Sequence, residues 1–428
     1  MLDSSSSTGV IELNDVEKRV LDSIDVNGLV DYLCELIAIP STTGDEEKAQ
    51  KNIAAKLDSM GMSVDKWDID LDDLKKHPDY SAEVERDKAV GVVGVWGGDS
   101  GRSLILNGHI DVVPAGDESN WVNPPWKGTI TDCKVIGRGS VDMKGGLVAA
   151  IYAVKAIQDA GINLKGKVIL ESVVSEEDGG IGALAATLRG YTADGAVIME
   201  PTELKIVPAQ AGALCFRIKV NGLSAHACVR AEGVSALEKF ILIHDALIDL
   251  EKIRNQRVID PLYSGYELPI PLNMGKVQTG NWPSTVPETL IAEGRYGIAV
   301  DEDLDVAKQE FIEALNAVVD SDPWLREHPP EMEWWGGQFK PGSVPVTDPI
   351  VETVKSAYLD TVGVEPVLEG VTYGSDMRHL INIGETPTVL FGPGDVRDCH
   401  RPNEAVLIDD LVTTAKALAL TVLRFCGH

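Results

Sequence analysis

Cysteine is scarce and scattered. Cys34, Cys133, Cys215, Cys228, Cys399 and Cys426 form no Cys-x-x-Cys pair, which argues against a cysteine zinc site and against a disulfide framework. Single thiols suit a reducing compartment, so a cytoplasmic location is expected. Basic residues are also short. There are 38 Lys and Arg against 67 Asp and Glu, a net charge of −29, which makes nucleic acid and anionic membrane poor partners. No apolar run approaches the roughly 18 residues of a membrane span. The leading stretch "MLDSSSSTGVIELND" lacks a basic start and an apolar segment, so no signal peptide is expected. No internal repeat stands out, and the only low-complexity tract is the short "SSSS".

What is present is a chain of 428 residues, 44% of them hydrophobic. That length accommodates two domains, and that composition supports a packed core. Helices are expected at 28–39, stopped by Pro40, at 48–61, and at 145–161, closed by Gly161. Strands are expected at 91–96 and 103–112, and 167–174 and 195–199 are short apolar runs of the kind buried parallel strands show. This alternation predicts an α/β domain with an open sheet covered on both faces. The rhythm changes near 213. Strands at 214–222, 270–280, 289–300 and 331–337, with helices at 233–253 and 304–321, predict a β-α-β-β-α-β unit. From about 348 the α/β character returns, with a helix at 349–361, the strand "TPTVLFGPG" and a closing helix at 407–425. The expected organisation is therefore one domain, 1–212 and 339–428, interrupted by an insert at 213–338.

Ligands of open α/β sheets bind outside the carboxyl ends of the strands. Polar residues stand just past most of these apolar runs: His109 and Asp111 in "NGHIDVVP", Glu176 and Glu177 in "SEEDGG", Glu200 in "MEPT" and His400 in "DCHRPNE". Asp142 adds to them from the Gly-rich turn "GRGSVDMKGG". Taken singly, an aspartate in such a turn is a turn residue, and a glutamate after a strand is a cap or a solvated group. Taken together they point to metal, because charged groups cluster at buried strand ends only when paired or on a cation. Mixed His, Asp and Glu donors suit zinc, cobalt or manganese, and a shared carboxylate is how two-metal hydrolases hold their ions. Neighbouring side chains at a strand end point apart, so one of Glu176 and Glu177 can hold metal while the other faces substrate as a general base. His109 and Asp111, two apart on a strand, share a face. They read either as a pair that holds the strand end or as a ligand with the carboxylate that orients it.

The ordered segments "GHIDVVP", "GRGSVDMKGG", "SEED", "MEPT", "GLSAH" and "GSD" resemble the co-catalytic metallohydrolase family of acetylornithine deacetylase, succinyl-diaminopimelate desuccinylase, aminoacylase-1 and carboxypeptidase G. The similarity runs from "IAIPSTTGDE" to "CHRPNE". It implies a zinc-exopeptidase-like catalytic domain with a mixed, mostly parallel sheet, and a ferredoxin-like insert serving as lid and dimerisation domain. It implies two divalent ions per chain, with His109 and Glu200 on one, Glu177 and His400 on the other, and Asp142 bridging. Asp111 would orient His109, and Glu176 would be the general base. His226 in "LSAHACVR" would reach the partner subunit's site and stabilise the oxyanion. Arg295 resembles a family arginine that contacts a substrate carboxylate, with an exposed structural arginine as the competing reading.

Departures from the pattern bear on substrate. Ser284, in "NWPSTVPE", stands where the family commonly has Asn, and "NWPSTVPETLIAEGRYGI" is more similar to the formylaminopyrimidine deformylase subgroup. After the family aspartate Asp376 come Met377, Arg378 and His379. Arg378 is either a surface helix residue or a contact for an anionic substrate group. Trp282, Trp334 and Trp335 are core residues unless one lines the cleft, which would favour an aromatic substrate. The resemblance implies hydrolysis of a C–N bond in a small carboxylate-bearing molecule, by N-deacylation or N-deformylation. Alternatives are deamination of a substituted aromatic amine, as by a 5-nitroanthranilate aminohydrolase, dipeptidase or carboxypeptidase action, and a non-catalytic metal-binding assembly protein. The intact ligand set with Glu176 argues against the last.

Overall fold

The computed structural model describes residues 13–428. The "SSSS" tract and most of the segment read for a signal peptide lie outside the described residues. Helices α1 (Asp15–Asp22), α2 (Val26–Ile37) and α3 (Glu47–Ser59) open the described chain. The Asn14 side chain caps α1 in a reciprocal box with Glu17, which fixes the helix start by satisfying free amides. Next come β1 (Ser63–Asp68), α4 (Leu71–Leu74), β2 (Val90–Gly97) and β3 (Leu104–His109). The hairpin β4 (Thr129–Thr131) and β5 (Lys134–Ile136) leads to α5 (Lys144–Asp159). Then follow β6 (Lys167–Val173), α6 (Ile181–Leu188), β7 (Gly195–Ile198) and β8 (Ile206–Gln210).

The next stretch holds β9 (Gly212–Asn221), α7 (Ala236–Asn255), β10 (Leu272–Thr279) and β11 (Thr289–Ile298). It continues with α8 (Leu304–Ser321), α9 (Pro323–Glu327) and β12 (Glu331–Phe339). The chain closes with β13 (Gly342–Ser343), α10 (Pro349–Val362), β14 (Leu368–Val371) and α11 (Met377–Asn382). Last are β15 (Thr388–Leu390), β16 (Ala405–Leu407) and α12 (Ile408–Cys426).

The main sheet runs β1-β2-β6-β3-β7-β15-β8-β13, with β14 also paired to β8. Its centre, β6-β3-β7-β15, is parallel, and the flanking strands β1, β2 and β13 pair antiparallel. The mixed, largely parallel sheet of the α/β expectation is thus present. Period-2 alternation sends Leu104 and Leu106 into the core shared with α5 and α12, and Ile105 into the smaller core shared with α6 and α11. Helix α5 is buried along almost all its length, as a helix apolar on every side must be.

A second sheet, β10-β11-β9-β12, is antiparallel throughout. Numbered within this stretch, its strands lie in the order 2-3-1-4, the ferredoxin-like arrangement. Along β9, Leu214, Phe216, Ile218 and Val220 face its core and Arg217 and Lys219 face away. Phe216, Phe311 and Trp334 form the centre of that core, with ring centroids 4.7 and 5.3 Å apart in sequence.

Among the elements that depart from the sequence expectation, three have a clear physical reason. The strand expected over 103–112 stops at His109, because Val112 N–H turns away to bond the Ser41 carbonyl. The strand β1 has too few apolar residues to register as one, being an edge strand with a mostly wet surface. Helix α6, "IGALAATL", is buried on every side and so carries no amphipathic period.

Candidate active site

All four central strands run parallel, so their carboxyl ends open at one edge of the sheet. His109 ends β3, the turn Ser175–Gly180 follows β6, Glu200 follows β7, and His400 lies beyond β15. Asp142 joins them from the turn before α5. Two glycines make that approach possible. A Cβ on Gly145 would meet Ser140 O at 2.3 Å, and one on Gly146 would meet Met199 O at 2.2 Å. A side chain at Gly146 would push α5 off the strand end that carries Glu200, and one at Gly145 would collide with the turn that carries Asp142. Ser175 and His400 take positive φ of 67° and 60°, unfavourable for side-chain-bearing residues and characteristic of functional turns.

The two histidines flank one carboxylate. His109 Nε2 lies 3.0 Å from Asp142 Oδ1, and His400 Nε2 lies 3.3 Å from Asp142 Oδ2 and 3.0 Å from Glu177 Oε2. Donor atoms of His109, Glu176 and Glu200 also fall within 4.8 Å of one another, as do those of His109, Asp142 and Glu177. Burial, reinforced by Glu200, pushes Glu176 well above the usual carboxylate range. Burial, with Asp142 beside it, pushes Glu177 up to about 7, and burial opposed by His109 pushes Glu200 up to about 8. Burial acts on Asp142 too, but hydrogen bonds from both histidines hold it low. Hydrogen bonds to Asp142 and Glu177 raise His400 to about 10.

These residues fit a divalent cation. Glu200 Oε1 is buried with no hydrogen-bond partner among the described residues, and such an oxygen is costly unless a cation meets it. The donors are imidazole and carboxylate without thiolate, a set that suits hydrolytic metals.

Three buried carboxylates support the cluster. Asp111 is fully buried, and His109 Nδ1 meets its backbone carbonyl at 2.9 Å. That contact orients the imidazole so that Nε2 faces Asp142. The Asp111 carboxylate does something the sequence reading does not anticipate: it accepts the backbone N–H groups of Glu176 and Glu177, each at 3.2 Å. Glu404, given no role in the sequence reading, accepts from Val141 and Asp142 N–H at 2.8 and 3.1 Å and pairs with buried Arg138 at 2.6 Å. It lies in the "CHRPNE" stretch quoted for His400, and that placement was the available signal. Asp178 ties the Glu176–Glu177 turn to Arg86 at 2.8 Å and to Val84 N–H at 2.8 Å.

The remaining candidates divide. Asp376 and Arg378 lie buried beside the cleft. Both Asp376 oxygens lack hydrogen-bond partners among the described residues, and burial, opposed by Arg378, pushes Asp376 up to about 7. Arg378 is not on a solvated helix face. It donates to Gly179 O at 2.6 Å, and its guanidinium stacks 4.0 Å from the Phe339 ring centroid. Arg295 is also held inside, donating to Thr372 O at 2.6 Å. His226 and Ser284 lie together on the insert, bridged across His226–Thr285, and both are exposed. Neither lines the metal cleft, a cavity of about 250 Å³ walled in part by Phe339, Tyr373 and Val396. Trp334 is a core residue, Trp335 packs under Arg217, and Trp282 is exposed. The aromatic wall is Phe339 and Tyr373, which the sequence reading does not name.

A buried cluster of histidines and carboxylates able to hold a divalent cation, at the strand ends of an α/β sheet, defines a metal-dependent hydrolase. The chain belongs to peptidase family M20/M25/M40, whose family model matches residues 105–424, and it acts as an amidohydrolase on C–N bonds. It is 29% identical over 96% of its length to the N-formyl-4-amino-5-aminomethyl-2-methylpyrimidine deformylase of Halalkalibacterium halodurans, covering 98% of that protein. It is 30% identical to the deformylase of the same name in Bacillus subtilis, over 89% of this chain and 90% of that one. Human carnosine dipeptidase 1 shares the fold at 17% identity, with a TM-score of 0.74 over 96% of this chain and 99% of that one.

Proposed function

We propose that the chain hydrolyses a small carboxylate-bearing N-acyl or N-formyl amine, releasing the free amine and the acid. The observation that carries this is Asp142, with one oxygen turned to each of His109 and His400. In this reading His109 and Glu200 hold one divalent ion, Glu177 and His400 the other, and Asp142 both. Bound there, Zn²⁺, Mn²⁺ or Co²⁺ would acidify water and polarise the carbonyl. Glu176 takes the proton of the attacking water and delivers it to the leaving nitrogen. Its burial and raised proton affinity suit a group that must hold a proton between those events. The deformyl version draws support from near full-length similarity to two deformylases.

Two further parts of the reading concern assembly and place. The free edge of β10 and the exposed Leu237 and Ile241 on α7 form a pairing surface for a homodimer through 213–338. Such a dimer would let His226 of one copy serve the other's cleft at the developing oxyanion. The six unpaired cysteines accord with a cytoplasmic location. No helix among the described residues is long and apolar enough to cross a membrane.

Product analysis tests the reaction. Protein loaded with Zn²⁺, Mn²⁺ or Co²⁺ is offered N-formyl and N-acyl amines, dipeptides and nitro-substituted anthranilates. Release of amine plus carboxylic acid from the first group is the expected result. Release of ammonia with a phenol from the anthranilates alone would move the function to aromatic deamination.

A further inference from the structure

Two sides of the metal cleft come from segments far apart in the chain. Glu176 and Glu177 stand in the turn Ser175–Gly180 after β6, and Phe339, the last residue of β12, walls the same cavity. Arg378 of α11 touches both. Its guanidinium donates to the Gly179 carbonyl at 2.6 Å and stacks 4.0 Å from the Phe339 ring centroid. A planar cation can hold a carbonyl and cover an aromatic ring at once, which a lysine ammonium does less well.

Arg378 is itself closed off from the cleft. It is 2% exposed and is not one of the cavity walls, whereas Phe339 is. The carboxylates that balance its charge are Asp376, then Glu176 and Asp79. The start of α11 also packs directly under the turn. A Cβ added to Gly180 would meet Asp376 Oδ1 at 2.4 Å and His379 Nε2 at 2.9 Å. The turn and the end of β12 are joined a second time through Glu83. Its carboxylate accepts from Gly337 N–H at 2.7 Å, and its own N–H donates to Asp178 O at 3.1 Å. The pairing of β12 with β9 breaks register between Trp334 and Gln338, and Glu83 takes an amide that this bulge frees from the ladder.

We propose that Arg378 is a positioning residue. It locks the turn that carries Glu176 to the end of β12, so that the base and the opposite cleft wall keep one spacing, and it makes no contact with substrate. The inference rests on the reading of Glu176 as the base. Misplacing such a group by about 1 Å can cost about 10²-fold in rate.

The test cuts the link from either end. Arg378→Lys keeps the buried charge and loses the stacked fork. Phe339→Leu removes the ring and keeps the cation. At saturating Mn²⁺ each should lower kcat about tenfold or more for both N-acetylnorleucine and N-acetylpentylamine, which differ only in the carboxylate. The ratio of their KM values should stay within about twofold. Because both substitutions break one link, the double variant should fall no further than the slower single variant, within about twofold. Amide exchange of a peptide spanning 175–180, read by mass spectrometry, should quicken in each variant. Full kcat in Arg378→Lys, losses that multiply in the double variant, or a KM increase confined to N-acetylnorleucine overturns the proposal; the last result would put the guanidinium on the substrate. If the unaltered protein cleaves no amide, the reading of the function fails and exchange alone decides. Faster exchange in both variants then upholds the link, and unchanged exchange removes it.

Discussion

Glu176 and Glu177 are neighbours in sequence with separate assignments. Glu177 meets His400, whereas Glu176 is near Glu200 and His109 without a histidine bond of its own. Glu176→Gln keeps the shape and removes the proton acceptor. It should lower kcat by a factor of about 10² to 10⁴ with metal content per chain unchanged; full activity in that variant would remove Glu176 from the mechanism. A second buried acid serves stability rather than reaction. Glu171 on β6 accepts from Asn107 on β3 at 2.9 Å, and burial pushes it up to about 7. The folded state therefore binds a proton that the unfolded state releases near its ordinary value of 4.5. The stabilisation is full below that value and is lost as pH rises to about 7, a fall of order 3 kcal/mol. Glu171→Gln should flatten the denaturation midpoint over that window, and an unchanged slope would assign the pH dependence to other groups.

The elements around the site are held by buried acids that touch backbone rather than metal. Glu404 fixes the turn carrying Asp142 through two amide bonds and the Arg138 pair. Glu404→Ala leaves Arg138 buried without its partner, which should cost about 3–5 kcal/mol. The displaced turn should also lower metal occupancy, measured by elemental analysis at a temperature where the variant stays folded. Retained occupancy would mean that α5 alone positions Asp142. These contacts show what a sequence reading reaches. His109, Asp142, Glu200 and His400 could be picked out as candidates because each follows an apolar run or sits in a glycine turn, and the fold brings them together. Asp111 was named as the carboxylate orienting His109, but Nδ1 meets its backbone carbonyl; its carboxylate accepts the Glu176 and Glu177 amides, a contact that no local pattern shows because it joins β3 to the turn after β6. Arg378 stayed open between a surface helix residue and a contact for an anionic substrate group; its burial comes from Gly179 and Phe339, brought from two distant segments.

For the molecule as a whole, the cluster concentrates negative charge in a protein that already carries −29. Cations bound only by the folded state should stabilise it, by about 2.7 kcal/mol per independent site at a free concentration one hundred times Kd. Stripping metal with a chelator should therefore lower Tm, and re-adding Mn²⁺ or Zn²⁺ should restore it. A Tm indifferent to chelation would contradict cation binding at the cluster. His109→Ala should make Tm nearly insensitive to added metal while the ferredoxin-like sheet, with its own core, stays folded.

The sequence by itself determined the alternation of strands and helices, the change of rhythm near 213, and the donor types at the strand ends. Those are local properties, written in periodicity, turn residues and composition. Tertiary structure alone decided which carboxylate meets which histidine, which acids hold backbone instead of metal, and that Arg378 joins Phe339 of β12 to the turn after β6. Such contacts join residues hundreds of positions apart, and their energies depend on burial, which no local pattern records.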